Sequence, residues 1–397
     1  MERDTGDACR TPHGDMTLGT ARITSIDELA HTVRDAYAAR TQLRIVAGGA
    51  WLDAGRPVHA DAVLDLAALS GIVDYAAADF TLTALAGTTL AAIDVAAMAH
   101  GQYLPLDPHG ARTGTLGATL ATASTGPLAT SAGTPRDVTL GVTFIDGSGA
   151  TIQGGGRVVK NVAGFDLVRM TIGAWGTLGA IGQATVRLRA IPPMDITLAV
   201  PMPSAAGELA ARLREVADAD IQPLAAELMN ASMARWSGAG DSCTLLVRIA
   251  GNVSGVRAQR DLLHRMAPMQ EVPVTVWRRI ADAEPERAGV VRVSSRPADV
   301  ARLWAEIAAR VGADDVMMLA SVRQGLVRLC ATVEREALVQ QLAHQPPPNS
   351  TVIVERLSAP AWPVPSVRLT NRLARDLKQA FDPKGIFNPG ILVPEPI

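Results

Sequence analysis

Behind Ser25, apolar residues recur at helical spacing through Ile26, Leu29, Ala30, Val33 and Tyr37, and Glu28 stands at capping-box distance from the serine. This pattern predicts a helix. Leu43–Val46 then reads as a short buried strand that runs into Gly48-Gly49. Val63–Leu66 and Thr81–Leu85 read as further strands. Thr88 or Thr89 can cap a helix over Leu90–His100, which Gly101 closes. Residues 104–155 are short and turn-rich. Val138–Ile145 is a β-branched and apolar strand, and Asp146-Gly147-Ser148-Gly149 is a hairpin turn into Thr151 and Ile152. Val186–Ile191 reads as the last strand of this unit, stopped by Pro192-Pro193.

The pattern changes beyond that stop. Residues 196–345 alternate strand and helix: Ile196–Val200, a helix near 205–217, Thr244–Ile249, helices near 254–266 and 298–311, then Val327–Val333. This predicts a separate α+β domain, an open sheet covered by helices. Gln345-Pro346-Pro347-Pro348 reads as a linker. The last segment, 351–397, holds a helix over Leu369–Phe381 and the turn-rich run Asp382-Pro383-Lys384-Gly385-Ile386-Phe387-Asn388-Pro389-Gly390. The polar residues 1–17 read as a flexible tail, and no internal repeat is evident. The expected organisation is therefore 18–192, 196–345 and 351–397.

Composition narrows the function. The 397 residues are 48% hydrophobic and 19% charged, enough apolar surface for more than one core. The formal net charge is −2 and aromatic content is 4%, which gives no footing for nucleic acid or an anionic membrane surface. Cys9, Cys243 and Cys330 are far apart, and no Cys-x-x-Cys occurs, so neither zinc nor an iron–sulfur cluster is expected in this chain. Cys243 and Cys330 sit in apolar runs that suggest buried thiols. The N-terminus has no apolar core of a secretory signal, and no long uncharged apolar run occurs. The expectation is a cytoplasmic protein, docked peripherally at most through a partner.

The candidate chemistry lies in glycine turns. Backbone N–H groups aimed at phosphate oxygens can hold a dinucleotide without net positive charge, and small residues keep the approach open. One such turn is Ala47-Gly48-Gly49-Ala50-Trp51. A second runs from Thr115-Leu116-Gly117 and Thr119 to Ser124-Thr125-Gly126. The third, most informative stretch is Lys160–Leu167 followed by Ile172-Gly173-Ala174-Trp175-Gly176-Thr177-Leu178-Gly179. A Gly-Gly pair after a strand also suits an ordinary turn, and the three stretches together favour the dinucleotide.

These stretches, in this order over roughly residues 20–192, resemble the PCMH-type (vanillyl-alcohol-oxidase-like) FAD-binding family. The resemblance implies a two-lobed FAD-binding domain, an α+β cap and a C-terminal segment packed back on the FAD domain. It implies FAD contacts at Ala47–Trp51, at Pro108, at Thr115, Leu116, Gly117, Thr119, Ser124 and Thr125, at Asp137 in the Asp137–Gly141 run, and at Gly164, Gly176, Thr177 and Gly179, with Ile181 where the family's backbone meets the adenine. Asn388, in the closing motif shared with D-lactate and D-2-hydroxyglutarate dehydrogenases, is expected near the isoalloxazine; a helix-stop turn is the other reading. No histidine or cysteine stands in the first loop, so the FAD is expected to be noncovalent.

What is missing shapes the expected role. The seven histidines form no metal-spaced pair, and none follows His344. The family's self-sufficient members carry histidine motifs in the cap and near the C-terminus, and an arginine where this chain has Val159. Ala163 stands where threonine is common. Ala50-Trp51 and Ala174-Trp175 replace polar pairs. Lys160 and His109 remain as candidate catalytic groups, with a surface salt bridge the rival reading for the lysine. The chain resembles, over nearly its whole length, the GlcE-type subunit family of bacterial glycolate oxidases (glycolate dehydrogenases). The resemblance implies a complex with a larger catalytic flavoprotein subunit and an iron–sulfur subunit, glycolate as the small 2-hydroxy acid, and electrons passed to a respiratory acceptor. Association with the inner membrane would then come through the complex. Within it, this chain is expected to relay electrons or support assembly. A stand-alone flavin-dependent 2-hydroxy-acid dehydrogenase and a flavin-free structural subunit are the alternatives.

Overall fold

The computed structural model describes residues 19–49, 54–156, 166–283, 289–312, 316–362 and 372–392. The 1–17 tail, Ala50, Trp51, Val159, Lys160, Ala163 and Gly164 lie outside the described residues.

The N-terminal half has two lobes. In the first, strands Gly19–Arg22, Ala62–Asp65 and Leu43–Val46 form a parallel sheet in that order. Helix Ile26–Ala39 buries Leu29, Ala30, Val33 and Ala36 against it. Ser25 Oγ accepts from the Glu28 amide at 3.1 Å, as expected. The Glu28 carboxylate reaches one residue further back than a capping box requires, to the amide and hydroxyl of Thr24 at 2.8 and 2.7 Å.

The second lobe is a five-stranded antiparallel sheet in the order Ile72–Ala76, Thr81–Leu85, Ala180–Arg187, Thr139–Ile145, Thr151–Gly155. Helices Leu90–Met98 and Leu116–Thr122 pack on it through Leu90, Ile93, Leu116 and Leu120. Thr89 caps the first of these. Three readings change here. The strand expected at Val186–Ile191 begins earlier, at Ala180, because Gly179 turns the chain directly into the sheet. Strands Gly19–Arg22 and Ile72–Ala76 carry no strong alternation of apolar and polar residues, and the pattern missed them. Thr115–Leu120, read as a turn, starts a helix with the Thr115 hydroxyl accepting from the Ala118 amide at 3.3 Å.

The cap is one eight-stranded antiparallel sheet. Its order is Gln270–Val272, Met194–Pro201, Thr244–Gly251, Ala225–Met229, Val316–Ser321, Leu326–Ala331, Gly289–Ser294, Thr351–Arg356. The chain makes it as two βαββαβ-like units, 194–272 and 289–356, each with its strands ordered 4-1-3-2, the first with an added helix, Ala231–Ser237, between its second and third strands. They join through the second strand of each, with Glu227 opposite Ser321. A structural repeat is therefore present where the sequence suggests none. Strand Thr351–Arg356, grouped with the tail in the sequence reading, pairs with Gly289–Ser294 and closes the cap sheet.

Side chains alternate across this sheet. Leu198, Leu228, Val247, Val291, Ala320 and Leu329 face helices Ala206–Asp218, Val253–Met266, Val300–Val311 and Glu336–His344 in the largest core. The opposite face carries Glu227, Arg292, Ser321, Arg328 and Glu355 and looks toward the N-terminal half. Contacts such as the Gln324 amide to Thr130 Oγ1 at 3.1 Å, and the Gly110 amide to the Ala281 carbonyl at 2.7 Å, join the two.

Helix Arg372–Phe381 leads to the closing turn. The Asp382 carboxylate has no exposed side-chain surface; it accepts from the amides of Ile386 at 2.9 Å and Phe387 at 3.0 Å and pairs with Lys378 at 2.5 Å. The turn then docks on the first lobe. The Leu43 amide donates to the Ile386 carbonyl at 2.7 Å, the Asn388 amide donates to the Leu43 carbonyl at 2.9 Å, and Phe387 is fully buried. Lys384 Nζ donates to the Tyr37 carbonyl at 2.7 Å and lies 3.9 Å from the centre of that ring. Asp382→Ala leaves two buried amides and an ammonium without their acceptor. It is expected to cost roughly 3–5 kcal/mol in urea unfolding, whereas Arg372→Ala, at an exposed ion pair, is expected to change nothing measurable.

Candidate functional site

A groove of about 790 Å3, open to solvent, runs between the two lobes of the N-terminal half. Its walls are mostly backbone and small side chains: Ala47, Gly49, Gly117, Gly176, Gly179 and Ala118 are typical. Gly48 and Gly49 follow strand Leu43–Val46 at φ +65° and +74°, a conformation that costs glycine nothing. Among the described residues, the amides of Ala47, Gly48, Gly49, Gly176 and Gly179 donate to no protein acceptor. Such a row of unpaired N–H groups at a groove wall suits phosphate oxygens. Among the described residues, the lining includes no histidine, cysteine or tyrosine.

One side chain fixes the geometry of this groove. Asn388, at φ +41°, accepts at Oδ1 from the Ile45 amide at 2.9 Å and donates from Nδ2 to the Trp175 carbonyl at 2.8 Å. It thereby links the closing turn to the first lobe's strand and to the Gly173–Gly179 loop. Trp175 itself adopts φ +54° and lines the groove beside Ile391, so a bulky ring stands where the sequence suggested only the loss of a polar contact.

The structure brings Ala47, Gly49, Gly117, Gly176, Gly179, Ile181 and Asn388 to this groove, with Gly48 in the same turn. It directs other candidates elsewhere. Leu116 and Thr119 turn into the core, Thr119 donating to the Thr115 carbonyl at 3.0 Å. The Asp137 carboxylate accepts from the amide and hydroxyl of Thr134, both at 2.8 Å, and caps its own short helix. Thr177 Oγ1 donates to the Ala174 carbonyl at 2.6 Å. Thr115 is spent as a helix cap, and Pro108 is absent from the groove lining.

His109, Ser124 and Thr125 meet in a second, smaller pocket between the N-terminal half and the cap. Arg292, Ser321, Gln324, Arg328 and Glu355 complete its polar wall. The two cavities adjoin. Thr122 lines the groove and Ser124 the pocket, while Ala54 of the groove bridges to Arg356, next to Glu355 of the pocket.

The pocket is electrostatically unusual. Arg292 and Arg328 stand directly opposite each other on neighbouring strands, an unfavourable pairing of like charges. Glu355 lies between them, 3.4 Å from Arg292 Nε and 3.2 Å from Arg328 Nη2. Glu355 thus ties the two guanidiniums together at the pocket wall. Burial, reinforced by Arg328, holds the His109 imidazole well below its usual pKa and hence neutral. Behind the wall, burial pushes Asp107 up to about 7 and Glu227 up to about 8. Sequence reasoning missed Arg292, Arg328, Glu355 and Glu227; a lone charge inside an apolar strand run was the available signal.

Two other histidines are structural or peripheral. His100 packs edge-on against Tyr75 with ring centres 4.8 Å apart, and His264 lies in the last turn of its helix. No cluster of potential metal ligands occurs among the described residues. No helix among them is long and apolar enough to cross a membrane. Cys330 is buried and takes a contact from Arg328 at 3.2 Å, whereas Cys243 is only half-buried, at the mouth of its strand.

Residues 17–155 match the family described as the FAD binding domain, and residues 369–392 match the C-terminal domain of FAD linked oxidases. The two matches cover the flavin half and the closing segment. The chain's cofactor is accordingly FAD, and the groove with its unpaired amides is compatible with it. The chain is 28% identical over 380 residues to glycolate oxidase subunit GlcE of Escherichia coli (strain K12), spanning 92% of this chain and 97% of that one. It is 40% identical over 121 residues to D-lactate dehydrogenase of Archaeoglobus fulgidus, a match covering 30% of this chain and 27% of the relative. Among solved structures, alkyldihydroxyacetonephosphate synthase shares the fold with a TM-score of 0.68 and 17% identity, over 93% of this chain and 75% of the other. These FAD-linked oxidase features are oxidoreductase features, and they give the two-lobed domain with a cap that the sequence suggested.

Two outcomes test the site. A Cβ at Gly176 would lie 2.7 Å from Asn388 Nδ2 and 3.2 Å from Ile45 Cδ1, at φ +66°. Gly176→Ala is therefore expected to lower the FAD content of the purified protein at least about tenfold, read from the ratio of flavin to protein absorbance. Asp107 and Glu227 have folded pKa values raised above their ordinary ones. Their contribution to stability is full below about pH 4 and is lost as pH rises through about 7 and then about 8. The melting temperature is expected to fall from pH 6 to pH 9, and Glu227→Gln to remove on the order of 5 °C of that fall.

Proposed function

We propose that this chain is the FAD-binding subunit of a dehydrogenase complex that oxidises glycolate to glyoxylate, and that its domain-junction pocket receives the carboxylate of the acid. The end-to-end likeness to the GlcE subunit carries the reading, since it spans both the flavin half and the cap. A second relative, glycolate oxidase subunit GlcD of Bacillus subtilis (strain 168), is 30% identical over 142 residues, 36% of this chain and 30% of that one. The partners in this reading are a larger flavoprotein subunit and an iron–sulfur subunit, with electrons leaving to a respiratory acceptor.

When bound, FAD supplies a hydride acceptor. The chain's own residues do the rest. Unpaired amides of Ala47–Gly49, Gly176 and Gly179 would hold the dinucleotide noncovalently, and Asn388 would fix the groove without spending its amide on the cofactor. Arg292 and Arg328 would pair with the carboxylate, each already oriented by Glu355. Neutral His109 can accept a hydrogen bond from the hydroxyl, but its depressed basicity makes it a poor general base. Lys160 stays a candidate for a cation near the flavin.

A second reading limits the chain to electron relay or assembly. It is favoured by the want of any paired histidine motif in the sequence. The purified chain should be yellow and release flavin on denaturation. In the assembled complex, Arg328→Met is expected to raise the KM for glycolate at least about tenfold with a smaller change in kcat. An unchanged KM would transfer substrate binding to the partner and favour relay. Dye reduction by the isolated chain with glycolate would instead establish a stand-alone dehydrogenase.

A further inference from the structure

Binding by backbone amides leaves one side chain of the groove wall without a use. Among the described residues, Trp175 is the sole aromatic ring of that wall. Its backbone stands at φ +54°, a conformation that glycine adopts freely and a bulky residue only at a cost. Gly173 and Gly176 in the same loop share the positive φ. Neighbouring bonds hold the residue in place. The Trp175 amide donates to the Ala121 carbonyl at 2.8 Å, and the Trp175 carbonyl accepts from Asn388 Nδ2 at 2.8 Å. One edge of the ring rests on Gly55, where a Cβ would stand 3.1 Å from Trp175 Cζ3 and 3.3 Å from Cε3. The indole N–H meets no acceptor among the described residues, and the side chain is only half-buried. Internal packing therefore accounts poorly for a ring kept at a strained position on an open groove.

The place of Trp175 along the groove gives the ring its use. The Gly55 amide donates to the Glu355 carbonyl at 2.8 Å, and Glu355 lines the pocket at the domain junction. Ala121, on the other side of the ring's backbone, leads through Thr122 of the groove to Ser124 of the pocket. Trp175 thus stands where groove and pocket meet. An acid held in the pocket can give up hydride only to a flavin ring at this end of the groove.

We propose that Trp175 is a positioning residue for the flavin: its indole packs against the isoalloxazine and sets that ring at the mouth of the pocket. The inference rests on reading the pocket as the seat of the acid, which requires the isoalloxazine end of the FAD to lie toward it. A flat conjugated tricycle gains dispersion and offset-stacking contact from an indole. The glycine and alanine side chains that make up much of the wall offer it no such surface. The strain at φ +54° is then the cost of placing a ring on a loop whose backbone must also keep its amides open to the cofactor.

The full chain, freed of flavin, is titrated with FAD, and the loaded proteins are compared for light emitted per bound flavin. An indole touching an excited isoalloxazine passes it an electron and takes it back without light, whereas a phenyl ring is too hard to oxidise. Trp175→Phe therefore keeps a flat face and removes the quencher. Trp175→Asn removes the ring and suits the positive φ. Trp175→Asn is expected to weaken FAD binding at least about tenfold and Trp175→Phe to stay within about threefold of wild type. Both should emit several-fold more light than wild type. Unchanged affinity in Trp175→Asn overturns the proposal, as do equal losses in the two variants, which are the mark of a purely structural role. Weakened binding with emission unchanged in both puts the isoalloxazine elsewhere; it overturns the proposal and the orientation together and spares the groove as the FAD site. A wild-type chain that takes up no FAD sinks the groove reading itself. If Trp175→Asn without flavin melts well below wild type, emission from Trp175→Phe alone decides, and a yield equal to wild type overturns the contact.

Discussion

The flavin half depends on the side-chain amide of Asn388. Without it, the strand that ends in Gly48-Gly49 and the loop that carries Trp175 and Gly176 belong to different lobes with no covalent reason to keep their spacing. Asn388 bonds both at once, 343 residues from one and 213 from the other. Its own position is over-determined in turn: the backbone pairs with Leu43, and Asp382 fixes the turn beneath it through two amides and Lys378. Lys378 also donates to the Thr177 carbonyl at 2.8 Å, so the same helix that delivers the turn grips the loop it stabilises. A cofactor held chiefly by backbone N–H groups needs that backbone fixed beforehand, because small glycine turns have no side chains to hold themselves in place.

The cap follows a different logic. Two βαββαβ units pool eight strands into one sheet, with four helices covering one face. On the other face, helices Ala231–Ser237 and Val276–Ala281 cover an apolar patch, and the polar remainder is closed over by the N-terminal half. Arg292 opposite Arg328 would be costly in an isolated sheet, and Glu355 lies between them, 3.4 Å from the one and 3.2 Å from the other.

These two logics explain how much the sequence could disclose. The flavin groove was readable because its parts are local: each glycine turn is a few consecutive residues whose conformational demand is visible in their identity. The closing motif was readable for the same reason, yet its role was not. Asn388 looked like a cofactor contact, and only the fold reveals that Ile45 and Trp175 already occupy its amide. Thr115 and Thr119 looked like part of a phosphate turn, and the helix they begin takes their hydroxyls for its own backbone. The pocket was hidden because His109, Arg292, Ser321, Arg328 and Glu355 come from separate strands and a distant coil. The duplicated cap was hidden too, since its halves share a strand order and not a residue pattern.

The missing histidine motifs pointed to a site stripped of substrate chemistry, and that inference concerned one way of handling an acid. A metal and its histidines would supply positive charge and a proton acceptor together. In this chain the domain junction holds two opposed arginines bridged by Glu355, and two carboxyls, Asp107 and Glu227, whose pKa values burial raises to about 7 and about 8. Ser321 stands between the arginines and Glu227, its hydroxyl on the Glu227 carboxyl and its residue in the pocket wall. Burial raises the Glu227 pKa because, among the described residues, a carboxylate there meets one hydroxyl and no cation.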